Sequence, residues 1–186
     1  MKTAALIFAA LLPLGAQMAS RAVPSPAPPV VGTPTQKALK ISISTLYGIE
    51  RNCDDKLRGI GEPNTVDLLG ATRGVYLADY GAVFSAEISM VTPPAIYPFH
   101  PAATKEDVVS VHQRKLQRLP RLKEAMKEMM KMAATTLATM PDNQQIVLAV
   151  RLDNMKWEDI SGLPGMLTIK ADRRSALTGN FQIEEE

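Results

Sequence analysis

One cysteine, Cys53, is all that 186 residues contain, so no intrachain disulfide can form and no paired Cys/His spacing marks a zinc site. A buried, inert thiol is the expectation, with pairing between chains as the lesser alternative. Histidine is nearly as scarce, with His100 and His112 the only two. No serine sits in a GxSxG elbow. Neither a Ser85–His100–Asp79 triad nor a Glu87–Asp79 carboxylate pair has a sequence signature behind it. Phosphate loops, dinucleotide fingerprints and HExxH are absent too. Catalytic chemistry has little to build on, and no cofactor is expected. Aromatics make up 5% of the chain against ten methionines, which points to an aliphatic core. Charge of one sign is also missing. Lys2 and Arg21 precede the cleavage point argued below; without these two of the 21 basic residues, 19 face 19 acidic ones. A balanced chain without basic runs is not built for nucleic acid. No apolar run approaches the ~20 residues that span a bilayer.

What is present begins with an export pattern. Lys2 supplies a positive start, Ala4 to Leu12 an apolar stretch, and Pro13 and Gly15 break it. Ser20-Arg21-Ala22 then places small residues at −3 and −1, so cleavage is expected after Ala22, with Ala16 as the second choice. Retention as an uncleaved anchor is the alternative. No cysteine adjoins the apolar stretch, which excludes a lipoprotein. Residues 1–22 thus read as a signal peptide and the mature chain as periplasmic or secreted, with no stable membrane span. Residues 23–36 hold five prolines and read as a polyproline II linker, reaching roughly 40 Å at ~3.1 Å per residue.

Residues 37–172 read as one α+β domain. Helical spacing of Leu39, Ile43, Leu46, Tyr47, Cys53 and Leu57 predicts a first helix over 36–57. A short strand at 74–77, a turn at 78–81 and an alternating strand at 82–90 follow, the latter with Phe84, Ala86, Ile88 and Met90 on one face. Thr104 and Asp107 stand at capping-box spacing before a long helix, in which Pro120 predicts a kink or two abutting helices. Charges along that helix, Lys115 and Arg118 among them, are assigned to the solvent side. The run Ile146–Val150 predicts a central strand buried on both faces, and Met166–Ala171 a last strand. The order α-β-β-α-β-β implies a small mixed sheet of three or four strands with helices packed on one face. A right-handed crossover joins 82–90 to 146–152. Residues 173–186 read as a flexible acidic tail.

Two loops concentrate candidate binding groups. Arg73-Gly74-Val75-Tyr76-Leu77-Ala78-Asp79-Tyr80-Gly81 packs a guanidinium, two phenols and a carboxylate around a hairpin. Turn geometry, half-buried tyrosines and an Arg73–Asp79 ion pair explain it structurally; an anionic or sugar-like ligand explains it functionally. The sole tryptophan, Trp157, lies beside Glu158 and Asp159, either as an exposed anchor or as a lid on the core. The Met126–Met132 stretch suits core packing first and Cu(I) only as a minor alternative. Leu68-Leu69-Gly70-Ala71-Thr72 running through Arg73-Gly74-Val75-Tyr76-Leu77 to Tyr80-Gly81-Ala82-Val83-Phe84 resembles a segment shared by uncharacterised secreted bacterial proteins. Pro93-Pro94, the 105–130 helix and Trp157-Glu158-Asp159 through Pro164 are similar as well. The resemblance spans about residues 66–165 and implies a shared domain, without an activity, cofactor or catalytic residue.

The expectation is an exported, non-enzymatic domain binding an envelope protein or component, with the two aromatic loops meeting at one sheet edge. Its candidate contacts are Arg73, Tyr76, Asp79, Tyr80, Glu87 and Trp157. An exported enzyme or small-ligand binder using the Arg73–Tyr80 loop with Glu87 is the alternative. No metal ligands are assigned.

Overall fold

The structure, a computed structural model, describes residues 41–61, 66–93 and 102–186. The expected signal peptide, the proline-rich linker and His100 lie outside these residues. Helix α1 (Ile43–Gly59) starts where Ser42 stays extended and its side chain accepts from the Thr45 N–H at 3.1 Å. The buried stripe of the helix is Leu46, Ile49, Cys53 and Leu57, and Leu39 lies outside the described residues. Ile43 and Tyr47, expected in that stripe, are exposed. Helix α2 (Lys105–Thr136) opens on the full Thr104–Asp107 capping box. Pro120 sits inside it without ending it, so the expected pair of abutting helices is one element. Both Pro120 and Leu116, whose carbonyl loses its partner to the ring, are on the exposed side, where the lost bond costs least.

Six strands form one mixed sheet: β1 (Asp67–Leu68), β2 (Arg73–Leu77), β3 (Gly81–Ser89), β4 (Gln145–Leu152), β5 (Met166–Asp172) and β6 (Gln182–Glu185). Strands β1 and β2 share one side of β3, and the order continues β3-β4-β5-β6. The β3–β4 pair, bridged by α2, is parallel and all other pairs are antiparallel. The α+β architecture with helices against one face of a mixed sheet is as expected; the strand count is larger. Leu122, Met126, Met129, Met130 and Ala133 of helix α2 share a single aliphatic core with Phe84, Ile88, Leu148, Val150 and Ile169 of the sheet. Strand β4 is not buried on both faces. Ile146, Leu148, Val150 and Leu152 are buried while Val147 and Ala149 are only half-buried on the opposite, helix-free face.

The acidic tail is not frayed. Asp172 caps a short helix α3 (Arg173–Thr178), accepting from the Ser175 N–H at 2.9 Å, and Gly179 closes it at φ 82°. β6 then adds to the sheet, with Ile183 opposite Ile169. Its glutamates meet lysines: Glu184 with Lys170 at 2.5 Å and Glu185 with Lys123 at 2.6 Å. Acidic composition suggested solvation, but partnered charges on an edge strand are compatible with pairing and discourage edge-to-edge association. The Ser175 backbone N–H and hydroxyl hold the Asp172 carboxyl below the ordinary carboxylate range. This stabilisation is therefore present above the unfolded aspartate value, about 3.9, and is lost as pH falls through the lower folded value. Asp172→Ala should cost about 1 kcal/mol at neutral pH. In urea unfolding at pH 7 and again near pH 2, that gap between variant and parent should shrink at the lower pH.

Candidate functional site

The helix-free face is where strand pairing collects side chains that sequence alone leaves scattered. Val75 pairs with Val83 and Val83 with Val147, so three valines lie in register across β2, β3 and β4. Leu77 adjoins them, and Val75 and Leu77 are about half exposed, at 49% and 46%. One row along, Arg73 pairs with Ser85 and Ser85 with Ala149; in the next row Glu87 pairs with Arg151. Arg73, Ser85, Glu87, Arg151 and the segment Leu69–Ala71 line an open cavity of about 410 Å³. Glu87 and Arg151 approach to 3.6 Å, both largely exposed, a geometry of little energetic weight. Arg73 has no ion pair among the described residues, so its guanidinium is available to a ligand or partner.

Helix α1 braces the edge segment that lines this cavity. Between the Leu68–Ile88 and Arg73–Ser85 pairs, four residues of the edge strand oppose two of β3, making a double bulge. Asp54 anchors the bulge, accepting from the Thr72 N–H at 2.8 Å and from its hydroxyl at 2.6 Å, with Thr72 fully buried. One turn earlier on the helix, Glu50 accepts from the Gly74 N–H at 2.7 Å. Glu50 thus takes an edge N–H group that another chain's strand would otherwise bind.

Of the six residues singled out in the sequence, Arg73 and Glu87 are brought together in the cavity. Tyr76 points to the helix side, where its hydroxyl donates to Gln144 Oε1 at 2.9 Å. Asp79 takes the left-handed position of the turn at φ 65°, and Tyr80 is exposed beside it. The Arg73–Asp79 ion pair does not form, since the two lie at opposite ends of β2. Trp157 packs half-buried against the core in the β4–β5 connection, which is the lid rather than the exposed anchor. The aromatic loops do not meet. The hairpin adjoins the Gly81–Gln145 end of the parallel pair and the tryptophan loop follows the Ile88–Leu152 end, roughly 23 Å of strand away. Sequence reading missed Arg151 and the valine row because Ile146–Val150 looked uniformly buried; continuing the alternation to Arg151 was the available signal.

A second polar cluster lies on α2. Lys115 and Arg118, expected on the solvent side, are buried because the segment after β3 and the β4–β5 connection cover that part of the helix. The Arg118 guanidinium donates to the Met90 and Gly61 carbonyls. Lys115 Nζ contacts the Glu158 carboxylate and donates to Asn154 Oδ1 at 2.8 Å and the Asp153 carbonyl at 3.2 Å. Exposure of the Lys115 and Glu158 side chains is 0% and 3%. His112 Nδ1 lies 2.9 Å from the Asp159 carbonyl, to which it donates, tying the same connection to the helix.

Other features offer less. Cys53 is buried, and burial with the nearby Asp54 and Glu50 carboxylates pushes its thiol up to about 12. It stays protonated at neutral pH and out of reach of a second chain, which removes the interchain disulfide. Met126, Met129 and Met130 are fully buried core residues. Among the described residues, no group of three His, Cys, Asp or Glu is placed to hold a metal. A wider groove of about 930 Å³ between α1 and α2 has Ile60, Pro120 and Ala125 in its lining. Several of its rim charges are already paired, Lys56 with Glu128 at 2.5 Å and Glu124 with Lys127 at 2.6 Å. No protein-family model, curated protein or solved structure matches the chain.

Proposed function

We propose that this chain is an exported, non-enzymatic domain that holds a protein partner on the helix-free face of its sheet. The observation that carries the reading is the in-register row Val75, Val83 and Val147 beside Arg73, which has no ion pair among the described residues. Half-exposed aliphatic side chains next to a free guanidinium favour a partner with an aliphatic centre and a carboxylate at its margin. Both sheet edges are blunted, one by Glu50 and the other by the β6 glutamates, so the face rather than an edge is the available surface. Export is supported by the residue pattern of the first 22 positions and by the resemblance to secreted proteins.

Native mass spectrometry of the protein recovered gently from the host envelope tests this. Val147→Asp and Arg73→Glu should each lower partner occupancy at least about tenfold, the effect of losing a central interface contact. Circular dichroism should show the fold intact, and Trp157→Ala should leave occupancy unchanged. Equal occupancy in the two face variants would discard the surface. The cavity supports a second reading, a small carboxylate ligand held by Arg73 and Arg151. Its signature is a small-molecule adduct that Arg73→Glu removes and Val147→Asp, several residues away, retains.

A further inference from the structure

The cluster against α2 brings a carboxamide and a carboxylate from the β4–β5 connection onto one buried amine. Lys115 Nζ reaches both the Asn154 side-chain oxygen, at 2.8 Å, and the Glu158 carboxylate. Asn154 is held from its other end as well, its Nδ2 donating to the Leu152 carbonyl at 3.2 Å. We propose that Lys115 and Asn154 join in an intramolecular isopeptide bond, with Glu158 as the group that moves the protons. The site is distinct from the sheet face, and the inference does not depend on the binding reading.

The step balances without any further reactant. The Glu158 carboxylate takes one proton from the Lys115 ammonium and leaves a free amine. The Nζ lone pair attacks Asn154 Cγ, one bond behind the oxygen it now contacts, as the C=O π electrons shift to Oδ1. Glu158 then passes its proton to Nδ2 and takes a second one from Nζ. The Cγ–Nδ2 bond breaks, the carbonyl re-forms, and nitrogen leaves as ammonia, which becomes ammonium on taking the last proton from Glu158. One C–N bond is made and one broken, and nothing is oxidised or reduced.

Two physical features favour this over the same groups in water. The amine and the carboxamide are held at contact distance by α2 and the strand-end loop, replacing a bimolecular encounter with a turn of the Asn154 side chain about Cβ–Cγ. The near-total burial of Lys115 and Glu158 excludes the water that would compete as nucleophile. The product ties α2 to the β4–β5 connection, a covalent brace in a chain whose single cysteine cannot supply one.

Intact mass spectrometry of the purified protein, with its N-terminus assigned by peptide mapping, is the test. The chain should be lighter than its sequence by the mass of one ammonia molecule. Digestion should release a branched peptide carrying both Lys115 and Asn154. The shape-conserving Glu158→Gln and the truncation Asn154→Ala should each restore the full sequence mass, with the fold verified by circular dichroism. A parent protein at full mass overturns the proposal, as does ammonia loss with no branched peptide, the mark of a succinimide at Asn154. Retention of the link in Glu158→Gln would remove the role assigned to that carboxylate. Where either variant fails to fold, the parent's mass and branched peptide decide alone.

Discussion

Gly81→Ala is expected to abolish the folded domain or leave it with a small fraction of its stability. Gly81 opens β3 at φ 138°, a backbone region that side chains rarely enter, and pairs there with Gln145 at the start of β4. A Cβ at this position would lie 1.9 Å from the Gln145 carbonyl oxygen and 2.8 Å from its backbone nitrogen. Neither atom can yield cheaply, because Gln145 is itself fixed by donating its N–H to the Tyr80 carbonyl at 2.8 Å. Relief requires breaking the first rung of the parallel β3–β4 pair, on which the sheet depends. Strain and lost pairing together should exceed about 4 kcal/mol, among the largest effects of a single substitution. Domains of this size have about 5–15 kcal/mol in all. Urea unfolding followed by circular dichroism measures it. A variant unfolding at nearly the parent's urea midpoint would mean that β3 and β4 are not in this register.

The second large effect is at Phe84, and it is coupled to Gly74. Phe84 is the largest fully buried side chain on β3, and its removal in Phe84→Ala should cost about 3–5 kcal/mol through lost transfer energy and the cavity left behind. Gly74, its cross-strand partner, lies under the ring: a Cβ there would come within 2.5 Å of the ring's Cε1 and 2.6 Å of Cδ1. Gly74→Ala should therefore cost about 1–3 kcal/mol by overpacking. Shrinking the ring in Phe84→Leu makes room for the added methyl. The double variant Gly74→Ala/Phe84→Leu should be more stable than the sum of the single losses allows, by about 0.5–3 kcal/mol of coupling. Strict additivity in denaturant titrations would show that Gly74 is kept for another reason, such as room for the Glu50 carboxylate, whose Oε1 would lie 3.4 Å from the added Cβ.

These two glycines belong to the motif that drew attention in the sequence, and both are explained by packing. The candidate that stays open to a partner is Arg73, and its neighbours there are drawn from other parts of the chain. Glu87 was foreseen as a candidate; Arg151 was not, because its strand read as a uniformly apolar run. Alternation identifies a two-faced strand only when the outward residues are polar, and Val147 and Ala149 hide it. The same blindness applied to α2. A lysine and an arginine on a helix default to solvent, since long cations are rarely buried unpaired. Lys115 and Arg118 are buried because carbonyls, Asn154 and Glu158 arrive from connections that helical periodicity does not describe.

Local chemistry was enough for much of the framework. The Thr104–Asp107 capping box started α2, the alternation from Ala82 to Met90 marked β3, and strand–helix–strand succession required β3 and β4 to share a sheet. Each depends on residues within a few positions of one another, or on connection rules that hold for any chain. Only tertiary structure decided which groups meet: the valine row with Arg73, the Lys115–Asn154–Glu158 cluster, and a tail whose glutamates found lysines on α2 and β5. Those pairings join residues distant in sequence. Whether a charge is solvated, paired or enclosed depends on what packs against it, which no local pattern encodes.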